Sequence, residues 1–381
     1  MNQVVEAHKK EFAVDPNVSY CAPGTIALFG EHAESAGGTV MIGAIERFMT
    51  VAVSRRRDNS LRFYSSTFQE RKKTSISTLK WRREDRWANN SKGVIYGLLQ
   101  MGFTVPGLEF TIGGDVPSGV GLGSSTAICV ATAAALNDLL DLQLSQHEII
   151  RLAVEAETLF QQRPAGAAAA AAALMIQPGQ LMLWESSSWR YRLLPFFSGN
   201  IVLLWIDPQV PTTEEEIEMV QQRHEEARGC LDFLSDTPVT EGLLRLGDDI
   251  GPAGLGEMSE EVRRGCKHLR DDEARLQDAV QAIEQDDPVK FGKCLQRSHE
   301  SLRDLYEISN PEIDWLVRRR DTVPGVLGGR RTGIGASASI IILMEQNALD
   351  GYMEKLQEYE RIFGFHPIHQ QLALSGGTIP C

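Results

Sequence analysis

The sequence predicts a protein of two domains that combines α-helices and β-strands, the α+β class. At roughly 150 residues per domain, a chain of 381 residues is long enough for two or three domains. Strand-like patterns dominate the first 112 residues, and helix-like patterns dominate the second half. A Ser-rich shift in composition over residues 186–200 predicts the boundary, which divides the chain into domains 1–190 and 191–381.

Composition and charge exclude several classes of protein. Hydrophobic residues make up 43% of the chain and charged residues 23%, a balance typical of globular rather than disordered proteins. The formal net charge of −13 disfavours binding to nucleic acid or to an anionic membrane surface. The longest basic stretch, residues 71–86, alternates with Ser, Thr and Trp, and this pattern predicts a solvated strand and loop.

The localisation predicted from the sequence is cytoplasmic. No segment approaches the roughly 18 consecutive apolar residues of a membrane-spanning helix, and the N-terminal residues carry charges that a secretory signal would not contain. The cysteines are scattered and never form a C-x-x-C pair, which favours reduced thiols over a zinc site or a disulfide framework. They are Cys21, Cys129, Cys230, Cys266, Cys294 and Cys381.

Apolar runs and turn residues predict the elements of the first half. Pro23-Gly24 separates the first two strands, and the polar segment 30–38 is predicted to be a turn. Helical spacing of apolar residues predicts a helix over 92–101. The predicted strands are residues 18–21, 26–29, 40–53, 61–64, 75–79 and 108–112.

The rest of the chain is predicted to be mainly helical. A helix is predicted to begin after Ser145, where Glu148 completes a capping box, and a glycine turn from Gly325 is predicted to precede a strand at 339–343. The other predicted helices are 126–140, 213–234, 260–283, 288–306 and 349–363, and the other predicted strands are 180–184 and 200–206.

Residues 167–173 are consecutive alanines, a run that is unusual in a globular chain. Alanine has the highest helix propensity, so the run predicts a helix. A second interpretation is that these letters stand in for side chains of unassigned identity. The encoded identity, read from the DNA or by mass spectrometry, separates the two interpretations.

The most distinctive local pattern is a Gly/Ser loop that leads directly into a predicted helix. Its glycines allow positive φ and a close approach of the backbone to a ligand. The N-terminus of the helix offers free N–H groups and the positive end of the helix dipole, which suit a phosphate group. The loop lacks the G-K-[ST] ending of a Walker A motif, and by itself a purely structural turn is an equal interpretation. The loop comprises Pro117, Ser118, Gly119, Val120, Gly121, Leu122, Gly123, Ser124 and Ser125.

Three motifs in a shared order and spacing show that the chain resembles the GHMP kinase superfamily, and most closely its galactokinase branch. They are residues 22–32 with 37–38, residues 117–127 and residues 325–335. Further segments typical of the galactokinase branch are 87–89, 92–94, 301–309 and 311–314. The resemblance extends from about residue 12 to residue 380.

The resemblance implies a two-domain GHMP kinase fold, with an N-terminal domain like domain 2 of ribosomal protein S5 and a ferredoxin-like C-terminal domain. ATP and a small-molecule sugar would meet between them. Galactokinases transfer the γ-phosphoryl group of ATP to the anomeric hydroxyl of galactose, so the resemblance implies this reaction, or transfer to a related sugar, in galactose metabolism. The chain is expected to act as a monomer.

The resemblance also implies roles for individual residues. Mg²⁺ would be held by Ser125 and by Glu157, which lies at the family's spacing from Pro164. The implied sugar-binding residues are Glu31, His32, Glu34 and Gly166. The implied ATP-binding residues are Trp87, Asn89, Pro117, Gly119, Gly121, Leu122, Gly123, Ser124 and Ser125.

At the sugar side the chain departs from its family. Thr25 replaces an arginine that stabilises the transferring charge, and Ala169 replaces an aspartate that assists removal of the hydroxyl proton. Glu34 replaces a shorter aspartate, and residues 336–339 replace a glycine-rich end of the third motif. A loose alignment also places Glu218, Gln221 and Gln222 at the family's tyrosine and paired arginines.

These departures leave a second hypothesis open beside the sugar kinase. General acid–base help contributes roughly 10²–10⁴-fold to a rate, so its loss could produce a catalytically impaired pseudokinase. Such a protein would bind nucleotide or sugar as a sensor or scaffold and act through a protein partner. A third hypothesis is another GHMP branch, such as the mevalonate-type kinases, which shares the spelling of residues 121–125.

Overall fold

The computed structural model describes residues 2–230, 258–336 and 339–381. The chain forms two compact units. The first unit comprises the residues up to Thr25 together with 44–178 and 374–381, and the second comprises 26–43 and 179–373. Both units contain helices and strands, which confirms the predicted α+β class. The division into domains at residue 190 stays a prediction.

The sheet to which the first unit contributes has the strand order β12-β1-β2-β5-β3-β4. β3 runs parallel to β5, whereas the pairs β12–β1, β2–β5 and β3–β4 are antiparallel. β1 and β2 contribute residues to both units. The strands are β1 (Val18–Phe29), β2 (Thr39–Arg55), β3 (Ser60–Ser65), β4 (Glu70–Ser75), β5 (Leu108–Gly114) and β12 (Ile379–Pro380).

Two strand predictions for this part of the chain are wrong. β1 continues through Pro23 instead of ending before it. β12 pairs with β1 at Tyr20 and Cys21, so the missing N–H of the proline lies beyond that pairing. The predicted strand 75–79 is a 3₁₀ turn over Ile76–Thr78, and the strand is β4, just before it. Charged residues fill β4, which agrees with the solvated strand predicted at the start of the basic stretch 71–86.

Two helices of the first unit precede the predicted phosphate loop in the chain, and three follow it. The predicted start of α4 is confirmed, because Ser145 and Glu148 form a complete capping box. The alanine run is confirmed as a helix, α5, which packs against α3 and α4 with Ala168 and residues 170–173 fully buried. The bounds are α1 (Asn2–Phe12), α2 (Ala88–Gln100), α3 (Ser124–Leu140), α4 (Gln146–Glu155) and α5 (Ala167–Met175).

The second unit contains an antiparallel sheet of order β11-β8-β10-β9. Separately, β6 pairs with β7 and with residues 39–43 of β2. The strands are β6 (Gln180–Glu185), β7 (Arg190–Pro195), β8 (Ile201–Asp207), β9 (Val326–Thr332), β10 (Ser339–Glu345) and β11 (Ile368–Leu372). The helices are α6 (Glu214–Gly229), α7 (Glu260–Glu284), α8 (Pro288–Asp304), α9 (Pro311–Val317) and α10 (Leu349–Phe363).

The core of the second unit lies where β8 and β10 face α9 and α10. Ile340 and Ile342 of β10 are fully buried there, together with Leu316 and Tyr352 from the two helices. The Tyr352 hydroxyl donates a hydrogen bond of 3.0 Å to the carbonyl oxygen of Leu316, which satisfies the polar end of a buried ring. Among the described helices of the protein, none is both long and apolar enough to cross a bilayer.

Glycines misled the prediction for residues 325–338, because β9 is a strand where a turn was expected. A Cβ added to Gly328 would lie 1.9 Å from the carbonyl oxygen of Gly292 in α8. The glycines therefore let the helix and the strand approach closely, rather than forming a turn. β7 was missed, since its segment was interpreted as a domain boundary. The predicted helix 213–234 corresponds to α6, and its last residues lie outside the described part of the chain.

The prediction of reduced cysteines is wrong for four of the residues. Cys21 is bonded to Cys381, with their Cα atoms 6.1 Å apart, and Cys230 is bonded to Cys266, with a Cα separation of 5.6 Å. The first pair forms because β12 lies antiparallel to β1, a pairing of residues 360 positions apart that spacing cannot reveal. Cys129 and Cys294 are free and buried.

Candidate functional site

The predicted phosphate loop connects β5 to α3 and has the geometry of an anion-binding turn. Gly119, Gly121 and Gly123 have φ angles of +81°, +76° and +66°, a region that favours glycine. Gly123 is the N-cap of α3, and its carbonyl oxygen accepts the first helical hydrogen bond, from Ala127. The N–H groups of the first turn therefore have no partner inside the helix, and the positive end of the helix dipole lies at the loop.

The loop is held against β1 at Thr25, the position of the family's arginine. The backbone N–H of Thr25 donates to the carbonyl oxygen of Leu122 at 3.0 Å. Thr25 is 3% exposed and Leu122 is 2% exposed, so this contact is shielded from water. A Cβ added to Gly123 would lie 2.5 Å from Oγ1 of Thr25. Thr25 therefore supports the loop by packing and contributes no positive charge.

A cleft of about 500 Å³ opens beside the loop, and every residue that lines it belongs to the first unit. The predicted ATP-binding residues Trp87, Asn89, Gly119, Ser124 and Ser125 line it together, although they are separated in sequence. The remaining predicted members of this set, Pro117, Gly121, Leu122 and Gly123, form the turn itself. The structure therefore joins the predicted phosphate loop to an aromatic and polar wall in a single cleft.

The wall that residues 80–86 contribute to the cleft is held by an ion pair between Lys92 and Asp85. The buried ammonium of Lys92 donates to the Asp85 carboxylate at 2.7 Å and to the Asn89 side-chain oxygen at 3.2 Å. The side-chain amide of Asn89 donates in turn to the carbonyl oxygen of Arg82 at 2.8 Å. Asn89 therefore braces the wall through its side chain. The indole N–H of Trp87 donates to Glu70 at 3.3 Å.

The two predicted metal residues, Ser125 and Glu157, are linked through Thr126, which follows Ser125 in the chain and hydrogen-bonds to Glu157. Ser125 lines the cleft. Glu157 is 6% exposed, and its carboxylate accepts a hydrogen bond from the Thr126 hydroxyl at 2.7 Å and one from the Arg163 guanidinium at 3.2 Å. Burial raises the pKa of Glu157, and the Thr126 hydrogen bond opposes that shift.

A hydroxyl and a carboxylate are oxygen donors of the type that Mg²⁺ prefers. Among the described residues no cluster of three or more His, Cys, Asp or Glu side chains could hold a metal ion. A cation at Ser125 and Glu157 would therefore take water as its further ligands, joined by phosphate oxygens when a nucleotide is bound, which is the usual arrangement for Mg²⁺. The donor set fits such a cation once Arg163 gives up its contact with Glu157.

Glu31 and His32, predicted to bind sugar, are buried in the second unit. The Glu31 carboxylate accepts two hydrogen bonds from the Arg330 guanidinium, at 3.0 and 2.9 Å. Arg330 also donates to the carbonyl oxygen of Leu28. Glu31 is 6% exposed and Arg330 is completely buried, so the pair is strongly shielded. Burial with full hydrogen bonding makes this carboxylate a rigid part of the first motif.

His32 packs into a cluster of aromatic and histidine rings. Its Nδ1 lies 3.3 Å from Nε2 of His224, and its ring centroid lies 4.9 Å from that of Tyr306. Burial lowers the pKa of His32 well below its usual value, and the neighbouring His224 lowers it further. The ring is therefore neutral at pH 7. Glu34, the third residue of this motif, lies in a 3₁₀ turn over Glu34–Ala36 and is partly exposed.

Gly166 and Ala169, two further positions predicted at the acceptor side, belong to the first unit. Gly166 is the N-cap of α5, and Ala169 lies in that helix. Ala169 is the one alanine of the run with partial exposure, whereas its neighbours are buried. Glu218, Gln221 and Gln222 lie on the exposed face of α6 in the second unit. In the third motif, residues 337–338 lie outside the described part of the chain.

Sequence analysis missed several residues of the cleft. The basic stretch 71–86 was predicted to be a solvated strand and loop, yet its end supplies lining residues, with Trp81 48% exposed. The alternation of arginine with tryptophan was the available signal, because bases can stack on aromatic rings and phosphates can pair with arginine. No signal pointed to Arg163, whose position depends on the fold after α4. The missed residues are Phe68, Trp81, Arg83, Arg86 and Arg163.

Comparison with protein families gives two matches. The family described as GHMP kinases N terminal domain matches residues 89–176. The family described as galactokinase galactose-binding signature matches residues 6–55. The first match contains the phosphate loop, and the second contains the motif of Glu31 and His32.

Curated relatives and solved structures extend these matches over the whole chain. A galactokinase of Streptomyces coelicolor is 30% identical, over 93% of this chain and 92% of its own. A galactokinase of Ligilactobacillus salivarius is 29% identical, over 96% of both chains. The structure of Lactococcus lactis galactokinase complexed with galactose superposes with a TM-score of 0.91 at 23% identity, over 99% of each chain. Methanococcus jannaschii mevalonate kinase gives 0.66 at 15% identity, over 94% of this chain and 98% of its own. These superpositions confirm the predicted GHMP kinase fold.

Proposed function

The chain belongs to the galactokinase family of the GHMP kinases, and on that premise we propose that it transfers the γ-phosphoryl group of ATP to a hydroxyl of galactose or of a related sugar. The observation that supports this proposal most is the cleft of the first unit. It combines a phosphate-binding turn, the N-terminus of α3 and an aromatic wall. Those three features suit the phosphates and the base of one nucleotide.

Phosphoryl transfer depends mainly on positioning and on electrostatic stabilisation of the phosphate oxygens. In this proposal the N–H groups of the first turn of α3, from Ser124 onward, bind the phosphate oxygens of ATP. The buried Lys92–Asp85 pair keeps the wall of residues 80–86 rigid, so the base is held while the phosphates remain fixed at the loop. Trp87 and Trp81 supply aromatic surface for the base.

Mg²⁺ belongs to the same proposal, with Ser125 and Glu157 as the residues that would hold it. When bound, such a cation neutralises charge on the phosphate oxygens. Thr126 contributes by orienting the Glu157 carboxylate through its hydroxyl, at 2.7 Å. That hydrogen bond also helps to keep the buried carboxylate in its charged form.

The acceptor side is where turnover is expected to be slow. In the proposed reaction the sugar oxygen forms a bond to the γ-phosphorus, the bond from phosphorus to ADP breaks, and the hydroxyl proton is released. The methyl group of Ala169 cannot accept that proton, so the proton passes to water or to a phosphate oxygen. Loss of a general base costs roughly 10²–10⁴-fold, which leaves a reduced but measurable rate.

Thr25 and Ala169 also favour one alternative, a pseudokinase that binds nucleotide or sugar without turnover and acts through a protein partner. The two proposals differ in one observable, the release of ADP that depends on sugar. Binding measured by calorimetry would be retained under both.

A coupled assay for ADP release across a panel of sugars, with galactose included, tests the kinase proposal. We expect a sugar-dependent rate above the ATP hydrolysis background, and a strong reduction in Ser125→Ala. If no sugar raises ADP release above the background while ATP still binds, the pseudokinase proposal is favoured. Absence of both ATP and sugar binding would contradict both proposals.

A cytoplasmic location and a monomeric state complete the proposal. The two disulfides provide a test of the cytoplasmic location, because disulfides are uncommon in the reducing cytoplasm. Because four cysteines are paired in the two disulfides, titration of thiols in denatured protein prepared without reductant is expected to detect Cys129 and Cys294 alone. Detection of all six cysteines would favour reduced protein.

A further inference from the structure

Arg163 is a cation of the cleft to which neither the motifs nor the comparisons assign a role. It lies in the loop between α4 and α5 and lines the cleft together with Ser124 and Ser125. Its backbone N–H donates to the carbonyl oxygen of Glu157 at 2.9 Å, which fixes the loop beside that residue. Its side chain is 48% exposed, so the guanidinium is accessible from the solvent.

Two hydrogen bonds connect the guanidinium to the first turn of α3. Arg163 donates to one oxygen of the Glu157 carboxylate at 3.2 Å, and the other oxygen accepts from the Thr126 hydroxyl at 2.7 Å. A guanidinium carries five N–H donors in a planar fork that matches a phosphate group. One contact to Glu157 therefore uses a small part of its capacity.

Arg86, another arginine of the cleft, has different surroundings. Arg86 lies 3.7 Å from the Glu70 carboxylate and 5.5 Å from the ring centroid of Phe68, so it belongs to the aromatic wall. Thr25, at the position of the family's arginine, contributes no charge to the loop. Arg163 is thus the cation that is bonded, through Glu157, to the helix end where the phosphates are proposed to bind.

We propose that Arg163 is a nucleotide-binding residue that exchanges partners: it pairs with Glu157 in the free protein and moves to the terminal phosphates of the bound nucleotide, which releases the carboxylate to a divalent cation. The inference rests on the proposed function, since it assumes that the cleft binds a nucleotide. It goes further in assigning to Arg163 the positive charge that Thr25 does not supply.

The strengths of the contacts favour this exchange. The Arg163–Glu157 contact is a single hydrogen bond of 3.2 Å, and its guanidinium is half exposed, so water and salt screen it on that side. Charge-assisted contacts of an arginine with a phosphate are stronger and can be bidentate. Glu157 is 6% exposed, and a buried carboxylate requires a compensating charge. When Arg163 leaves, a divalent cation supplies that charge.

The exchange predicts effects of opposite sign in one variant. In Arg163→Gln, binding of ATP measured by calorimetry in EDTA is expected to weaken roughly tenfold, since a charge-assisted contact is lost. Binding of Mn²⁺ alone, followed by electron paramagnetic resonance, is expected to tighten by up to roughly fivefold, because the competing guanidinium is gone. Arg163→Lys keeps the charge without the fork and should fall between the two proteins.

Arg151→Gln is the matched control, because Arg151 is an exposed arginine of α4 that does not line the cleft. It should bind ATP and Mn²⁺ like the wild type. If Arg163→Gln binds both ligands like this control, Arg163 has no such role.

If Arg163→Gln binds ATP and Mn²⁺ both more weakly, Arg163 does not compete with the cation and the exchange is refuted. If the wild type itself binds no ATP, the proposed function fails and the inference falls with it. A thermal melt of each variant establishes folding, and Arg163→Lys decides the question if the glutamine variant does not fold.

Discussion

The contact between Gly123 and Thr25 gives a quantitative test of how the phosphate loop is held. Gly123→Ala places a methyl group 2.5 Å from Oγ1 of Thr25, whereas Gly119→Ala, in the same loop, meets no atom within 4 Å. Both glycines have positive φ, so each alanine costs about 1–2 kcal/mol of backbone strain. Gly123→Ala adds overpacking against Thr25, about 1–3 kcal/mol. We therefore expect Gly123→Ala to be the more destabilising variant by about 1–3 kcal/mol.

Urea denaturation of the two single variants measures this difference, and Thr25→Ala completes a double-mutant cycle. Removal of Oγ1 relieves the clash, so Gly123→Ala should cost less in the Thr25→Ala background. ATP affinity measured on the same proteins should fall more for Gly123→Ala, because displacement at the N-cap tilts the first turn of α3. Equal destabilisation by the two glycine variants, or full additivity with Thr25→Ala, would show that the loop does not pack on β1 as described.

Three further predictions concern the acceptor side and the buried charges. Ala169→Asp is expected to raise kcat for a sugar by up to roughly a hundredfold. The control Ala171→Asp places a carboxylate at a fully buried position and should unfold the protein. An unchanged kcat in folded Ala169→Asp would contradict the placement of Ala169 at the family's aspartate position. Burial lowers the pKa of His268 to about 4, so below pH 6.5 the unfolded state binds more protons than the folded state. The free energy of unfolding in urea should therefore drop by about 2 kcal/mol from pH 7 to pH 5. The drop should be smaller in His268→Gln, and an identical pH profile in that variant would show that His268 does not cause it. Glu31→Gln leaves the Arg330 charge buried and unpaired, so it should cost about 3–5 kcal/mol by the same denaturation assay, and a cost below about 1 kcal/mol would be evidence against a tightly buried pair.

Local patterns were enough where an element depends on its own residues. The start of α4 was predicted from Ser145 and Glu148, because the capping box is made by side chains three positions apart. The phosphate loop was predicted for the same reason, since its positive φ angles require glycine at those positions. β9 was missed, because two adjacent glycines interrupt its apolar pattern. Its strand structure depends on the neighbour with which it pairs.

Some residues of the cleft were predicted from motifs, whereas the side-chain contacts that hold them were not. Trp87 and the loop could be assigned from motifs, and the structure places them in the same cleft. That Asn89 braces the wall through Arg82, and that Glu157 is held by Arg163, depends on residues whose side chains meet only after folding. No sequence spacing encodes such contacts.

The sequence by itself determined the kinase family and the glycine turn before α3, because both reside in short motifs whose chemistry is local. Only the tertiary structure decided which charges compensate one another. Cys21 meets Cys381 because two strands pair, and the Glu157 carboxylate meets a guanidinium because a loop returns to the end of α3. A buried charge or thiol takes the partner that packing brings within a few ångströms, and that partner can come from any part of the chain.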